Sequence, residues 1–167
     1  MPSTSRSSIR DGIVVGLIGY AAVAIFYTAF DLLAARGAFY TVNLLGRAVF
    51  RGLRDPSVLM FPVSLDSGAI MLYNGLHLLI ALMIGLVVTG LIGYAQRHQS
   101  RRYGVLFVLL AGFIVTILGV GMLTTGIRPV LPLWSIVVAN ALAVLLAGAY
   151  LVWQRPGGWY HSGPLAA

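Results

Sequence analysis

Four stretches of this chain run apolar for twenty residues or more, and the polar residues gather between them. The first, Gly12–Leu33, carries a single charge in 22 residues, at Asp31. At 1.5 Å per residue it reaches about 33 Å, enough to cross a hydrocarbon core of about 30 Å. The second runs over about 68–94, the third over about 104–125 and the fourth over about 133–153. Each ends in punctuation that a helix cannot pass easily. Arg97-His98-Gln99-Ser100-Arg101-Arg102 separates the second from the third. Gly126-Ile127-Arg128-Pro129, with Pro132 beyond, separates the third from the fourth. Arg155-Pro156-Gly157-Gly158 closes the last.

Residues 34–67 follow another pattern. Phe39, Val42, Leu45, Val49 and Leu53 recur at spacings of three and four, and Asn43, Arg47, Arg51 and Arg54 recur opposite them. This predicts an amphipathic helix over about 39–54, too polar to span and suited to lie in the headgroup plane. Asp55-Pro56 ends it. Gly46 and Gly52 lower its intrinsic stability, so it needs a surface to fold against. Arg47, Arg51 and Arg54 are the expected contacts to lipid phosphates.

The expected fold is therefore an all-α integral membrane bundle. It has four transmembrane helices, an interfacial helix between the first and second spans, a polar N-terminal tail over 1–11 and a C-terminal tail over 154–167. A cleaved signal peptide does not fit the first run, which is too long and lacks a good small-residue cleavage site after it.

Composition agrees. Only 9% of the 167 residues are charged, where soluble domains carry about 25%, and the mean hydropathy is +0.94. All eleven basic residues are arginine, and neither lysine nor glutamate occurs. This points to a bacterial genome rich in G and C, and hence to the inner membrane. The net charge of +7 does not indicate nucleic acid, because the arginines flank apolar runs, where they anchor topology and headgroups. Four spans put both termini on one face. Six arginines lie on that face and five on the other. The short triple-arginine link between two spans favours a cytoplasmic location for the termini. Tyr94, Tyr103, Trp134, Trp153, Trp159 and Tyr160 fall at span ends, as an aromatic belt does.

Helices in lipid associate through close approach at small residues. The fourth span offers Ser135, Ala139, Ala143 and Ala147, one every fourth residue. The third offers Gly112, Thr116 and Gly119, the second Gly85 and Gly93, and the first Gly12 and Gly16.

Ionisable groups inside a bilayer are costly, so each is a functional candidate. Two qualify, Asp31 and His77. Tyr73 and Asn74 share a helix face with His77. Tyr27 precedes Asp31 by four residues, and Tyr20 precedes Tyr27 by seven. Asn140 is the strongly polar residue of the fourth span. Counted from the same membrane face, His77 and Asn140 lie roughly 10–14 Å deep and Asp31 lies shallower. Tyr27, Asp31, Tyr73, Asn74, His77 and Asn140 can thus form one polar layer in one leaflet. The plainest role for it is interhelical hydrogen bonding. A sharper one is contact between His77 and a haem, a chlorophyll-type pigment or a quinone; a bis-histidine haem would need a partner chain for its second ligand. A third is a carrier or channel formed by a homo-oligomer through an Asp31–His77 layer.

Catalytic signatures are missing. There is no P-loop, no H-E-x-x-H, no G-x-S-x-G and no carboxylate pair. With no cysteine there is no thiol chemistry. The expectation is a non-catalytic accessory subunit of a bacterial membrane complex of respiratory-oxidase or photosynthetic type. It would act through helix packing and lipid contacts beside other membrane subunits.

Overall fold

A computed structural model describes residues 3–52 and 64–154. Five α-helices follow one another: α1 Ser3–Leu33, α2 Tyr40–Phe50, α3 Ser67–Arg97, α4 Arg102–Leu123 and α5 Leu133–Gln154. Single 3-10 turns at Gln99–Arg101 and Thr125–Ile127 make the two tight links. Among the described residues there is no strand. Ser8–Leu33, α3, α4 and α5 are each long and apolar enough to cross a membrane. The molecule is thus the expected four-span bundle with a short helix between the first two spans.

Two element extents and one buried face differ from the pattern-based reading. The N-terminal tail is helical from Ser3, because nothing in Ser3–Asp11 breaks the helix that the apolar run continues. The short helix runs over Tyr40–Phe50, ending at Gly52, which adopts φ +64°. Its buried face is also turned from the expected one. Tyr40, Thr41, Asn43, Leu44, Leu45 and Gly46 are buried, whereas Phe39 and Val49 are exposed. The reason is polar: Thr41 and Asn43 carry hydrogen bonds into the bundle, and these outweigh a purely apolar stripe. Leu53 and Arg54 lie outside the described residues.

α1 is the central helix, packed on α3 along one side and α5 along another, while α2 sits on α3. The α1–α3 seam is set by glycine. A Cβ on Gly85 would collide with the backbone of Gly12 and Gly16, and one on Gly16 would stand 2.7 Å from Leu82 Cα. Only bare Cα atoms allow that approach. Gly46 does the same between α2 and α3, where a Cβ would strike the Ala69 carbonyl. The glycine that weakens α2 alone is the point at which it docks. On α5, Ser135 and Ala139 are fully buried, and Ala143 and Ala147 are half-buried.

The expectation for α4 needs correcting. A Cβ on Gly112 or Gly119 would meet nothing within 4 Å, so neither packs against a described residue. α4 packs chiefly on α3, α5 and the two links, and its inward stripe runs through Val105, Leu109, Phe113, Ile117 and Val120. Gly112 and Gly119 lie off that stripe and are exposed.

Candidate functional site

By hydrogen bonding, the polar residues of the expected single layer separate into four groups: Asp31, Tyr27 and Asn140 each bond elsewhere, and Tyr73, Asn74 and His77 stay together. Asp31, near the end of α1, is 1% exposed and faces α2. Its two carboxylate oxygens accept from Thr41, one from the backbone N–H at 2.7 Å and one from Oγ1 at 2.6 Å. Phe39, at the N-cap position of α2, offers no side-chain oxygen. Asp31 therefore caps α2 from another helix, meeting both an orphan N–H and the positive end of the helix dipole. Thr41 was not a sequence candidate, and its only signal was a hydroxyl at the start of the amphipathic run.

Tyr27 turns to α5. Ser135 Oγ donates to the Pro132 carbonyl at 2.7 Å, so the Tyr27 hydroxyl donates to Ser135 Oγ, at 3.5 Å. Asn140 is occupied on its own helix, where Nδ2 donates to the Ile136 carbonyl at 2.8 Å. No hydrogen bond joins either residue to His77.

Tyr73, Asn74 and His77 do come together, on α3 against α1, and Tyr20 completes the group. The Tyr20 hydroxyl donates to Asn74 Oδ1 at 3.1 Å, and Asn74 Nδ2 donates to the Ile70 carbonyl at 2.9 Å. The His77 ring lies between two tyrosine rings, with centroids 5.2 Å from Tyr20 and 6.0 Å from Tyr73. Tyr20 was legible as one stripe with Tyr27, seven residues apart. Its pairing with Asn74 needed the α1–α3 register that Gly12, Gly16 and Gly85 set. Among the described residues, no three His, Cys, Asp or Glu side chains gather as a metal site would require.

Of the arginines expected at headgroups, Arg47 and Arg51 have partners inside the chain, and Arg54 lies outside the described residues. Arg51 Nε donates to Asp66 Oδ2 at 3.0 Å, and Arg47 Nη1 donates to the Ser64 carbonyl at 3.3 Å. Beside them Asn43 closes a clasp. Its Nδ2 donates to the Ser64 carbonyl at 3.1 Å, and its Oδ1 accepts from Asp66 N–H at 2.9 Å. Asp66 then caps α3, accepting from Ala69 N–H at 2.9 Å. The Arg51 guanidinium, helped by the Ala69 N–H, holds the Asp66 carboxyl below its ordinary range. The same pair raises Arg51. Arg51 remains half-exposed, so the arginines keep a solvent-facing side while bracing the start of α3.

Arg36 makes a further latch. Its Nη1 donates to the Val130 carbonyl at 3.0 Å, and its guanidinium lies 5.4 Å from the Tyr40 ring centroid and 5.9 Å from that of Phe30. Burial raises the Tyr40 hydroxyl above its usual range, against the Arg36 charge. One side chain thus ties the end of α1 to α2 and to the α4–α5 link.

These features define a class: a polytopic α-helical membrane protein whose short second helix is locked across one end of the bundle. Compared with known proteins, the chain matches no protein-family model, no curated protein and no solved structure. Site and fold rest on their own geometry.

Proposed function

We propose that this chain is a non-catalytic packing subunit of a larger assembly in a bacterial inner membrane, of respiratory or photosynthetic type, with its termini in the cytoplasm. The observation that carries the reading is the outer face of α4. Gly112 and Gly119 stand open there, with no described residue packed on them, among exposed apolar side chains such as Val108, Val115, Leu118 and Met122. Each glycine costs a helix interior about 1 kcal/mol relative to alanine. In lipid that loss is recovered where a second helix approaches closely over the bare backbone. The described helices do not make that approach, so a helix of another subunit is the natural occupant.

The polar groups support the same reading. Asp31, Asn43, Asn74 and Asp66 hold the chain's own elements together. A carrier built on an Asp31–His77 layer would need Asp31 available to cargo, and both of its oxygens are bonded to Thr41.

Purification in a mild detergent tests the proposal. A stable complex with other membrane subunits is expected. A Gly112→Leu/Gly119→Leu variant is expected to lose those subunits while keeping its own thermal stability. A wild-type chain that purifies as a lone monomer overturns the reading.

A further inference from the structure

Unlike Tyr20 and Asn74 in its group, His77 has no hydrogen bond to its imidazole among the described residues. Its neighbours there are two tyrosine rings. Tyr73, one turn earlier on the same face of α3, likewise has no hydrogen-bond partner for its hydroxyl among them. Neither group is sealed away, because the described residues contain no buried side-chain nitrogen or oxygen without a partner. Each therefore keeps some access to the surroundings of the bundle, while the Tyr73 ring packs against the buried cluster around Leu44 and Ile136. The polar neighbours are engaged with other groups: Tyr20 donates to Asn74, and Asn74 donates to its own helix.

Depth makes the vacancy significant. α3 has 31 residues, about 46 Å of helix against a hydrocarbon core of about 30 Å. With the helix centred, Tyr73 lies close to the core boundary and His77 about 7 Å below it. Water is scarce at the level of His77, so its unpaired imidazole calls for a polar atom brought by something that dissolves in the bilayer, and Tyr73, one turn nearer the boundary, offers a second donor beside it.

We propose that Tyr73 and His77 form a binding site for the headgroup of a membrane-soluble quinone, with a ring carbonyl held between them. The chemistry selects this class in three ways. The neutral imidazole has one N–H and the phenol one O–H, and a carbonyl oxygen has two lone pairs to accept both. The ligand must be neutral to reach this depth without a counter-charge. The tilted rings of Tyr20 and Tyr73 offer walls on which a flat ring packs in offset or edge-to-face geometry. A tetrapyrrole metal would engage one imidazole nitrogen and leave the Tyr73 hydroxyl unpaired. The site belongs to this chain alone and does not depend on the subunit reading above.

The test is nitrogen NMR of the full chain, labelled with ¹⁵N-histidine, in nanodiscs titrated with decylubiquinone. Of the three histidine signal sets, the one absent from H77F is assigned to His77. Its ring nitrogens are expected to shift saturably while those of the other two histidines stay in place. Y73F is expected to weaken binding about tenfold, as loss of one buried hydrogen bond does. If H77F does not fold, titration of the wild type against Y73F carries the test unaided, with the responding signal set assigned by its sensitivity to Y73F. Signals that do not move at high quinone content overturn the proposal. So does a quinone response that Y73F leaves unchanged. Nanodiscs of ether lipid supply the last arm: if replacing ester lipid moves the His77 signals and quinone does not, the occupant is a lipid ester carbonyl and the quinone site is rejected.

Discussion

Asp31 and Asp66 illustrate how differently two aspartates act in this chain. Asp31 is buried, with both oxygens taken by Thr41. Asp31→Ala leaves the first turn of α2 with two unanswered donors. It is expected to lower stability by about 2 kcal/mol, read as a drop in thermal midpoint in mild detergent, and Asp31→Asn is expected to lose about half as much because one acceptor remains. Asp66 sits at the surface, its carboxyl held low by Arg51. A depressed carboxyl stabilises the fold fully above the ordinary carboxylate value of about 3.9, and that contribution fades as pH falls through the lowered value. The difference in thermal midpoint between wild type and Asp66→Asn should thus be constant near neutral pH and shrink in acid. A difference that grows in acid would contradict the Arg51–Asp66 assignment. Both aspartates were visible in the sequence, but only Asp31 drew attention, as a charge inside an apolar run. The importance of Asp66 came from where the chain re-enters the bundle, beside Asn43 and Arg51.

Among the helices, glycine position matters more than glycine count. Gly12, Gly16 and Gly85 meet backbone to backbone, whereas Gly112 and Gly119 meet nothing. Gly85→Val is expected to destabilise the isolated chain by about 1–3 kcal/mol through overpacking of the α1–α3 seam. Gly119→Val should leave the isolated chain as stable as wild type or slightly more so, since valine has the higher helix propensity. Thermal unfolding of the two variants side by side checks the contrast, and equal losses would mean that α4 packs as tightly as α1. Small-residue spacing marked both helices in the sequence. It could not tell a face that meets its own bundle from one that does not, because the same i, i+4 pattern serves both. α2 carries a similar lesson. Its existence between the first two spans followed from the spacing of its apolar residues and arginines, but its shorter length and its rotation did not, and the rotation followed from hydrogen bonds at Thr41 and Asn43 to residues 10 and 21 positions away in sequence.

At the scale of the whole molecule, four spans require that the Gln99–Arg101 link and the Thr125–Pro132 link face opposite sides of the membrane. The chain has no cysteine, so single substitutions report cleanly. In spheroplasts, an impermeant maleimide is expected to label Arg128→Cys and not Ser100→Cys when the termini are cytoplasmic. Labelling of Ser100→Cys alone would reverse that orientation, and labelling of both would refute the four-span topology. The sequence by itself determined the span count, the span limits to within a few residues and the presence of a non-spanning helix. Those features depend on transfer of apolar side chains out of water, a local and nearly additive quantity. It also singled out His77, Asn74 and Tyr73 as neighbours, because helical spacing alone puts them on one face. Tertiary packing alone decided that the polar layer is four separate groups, that Asp31 caps another helix, and that His77 and Tyr73 have no hydrogen-bond partner among the described residues. Those outcomes depend on helix register and rotation, which the close contacts at Gly12, Gly16, Gly85 and Gly46 set between residues far apart in the chain.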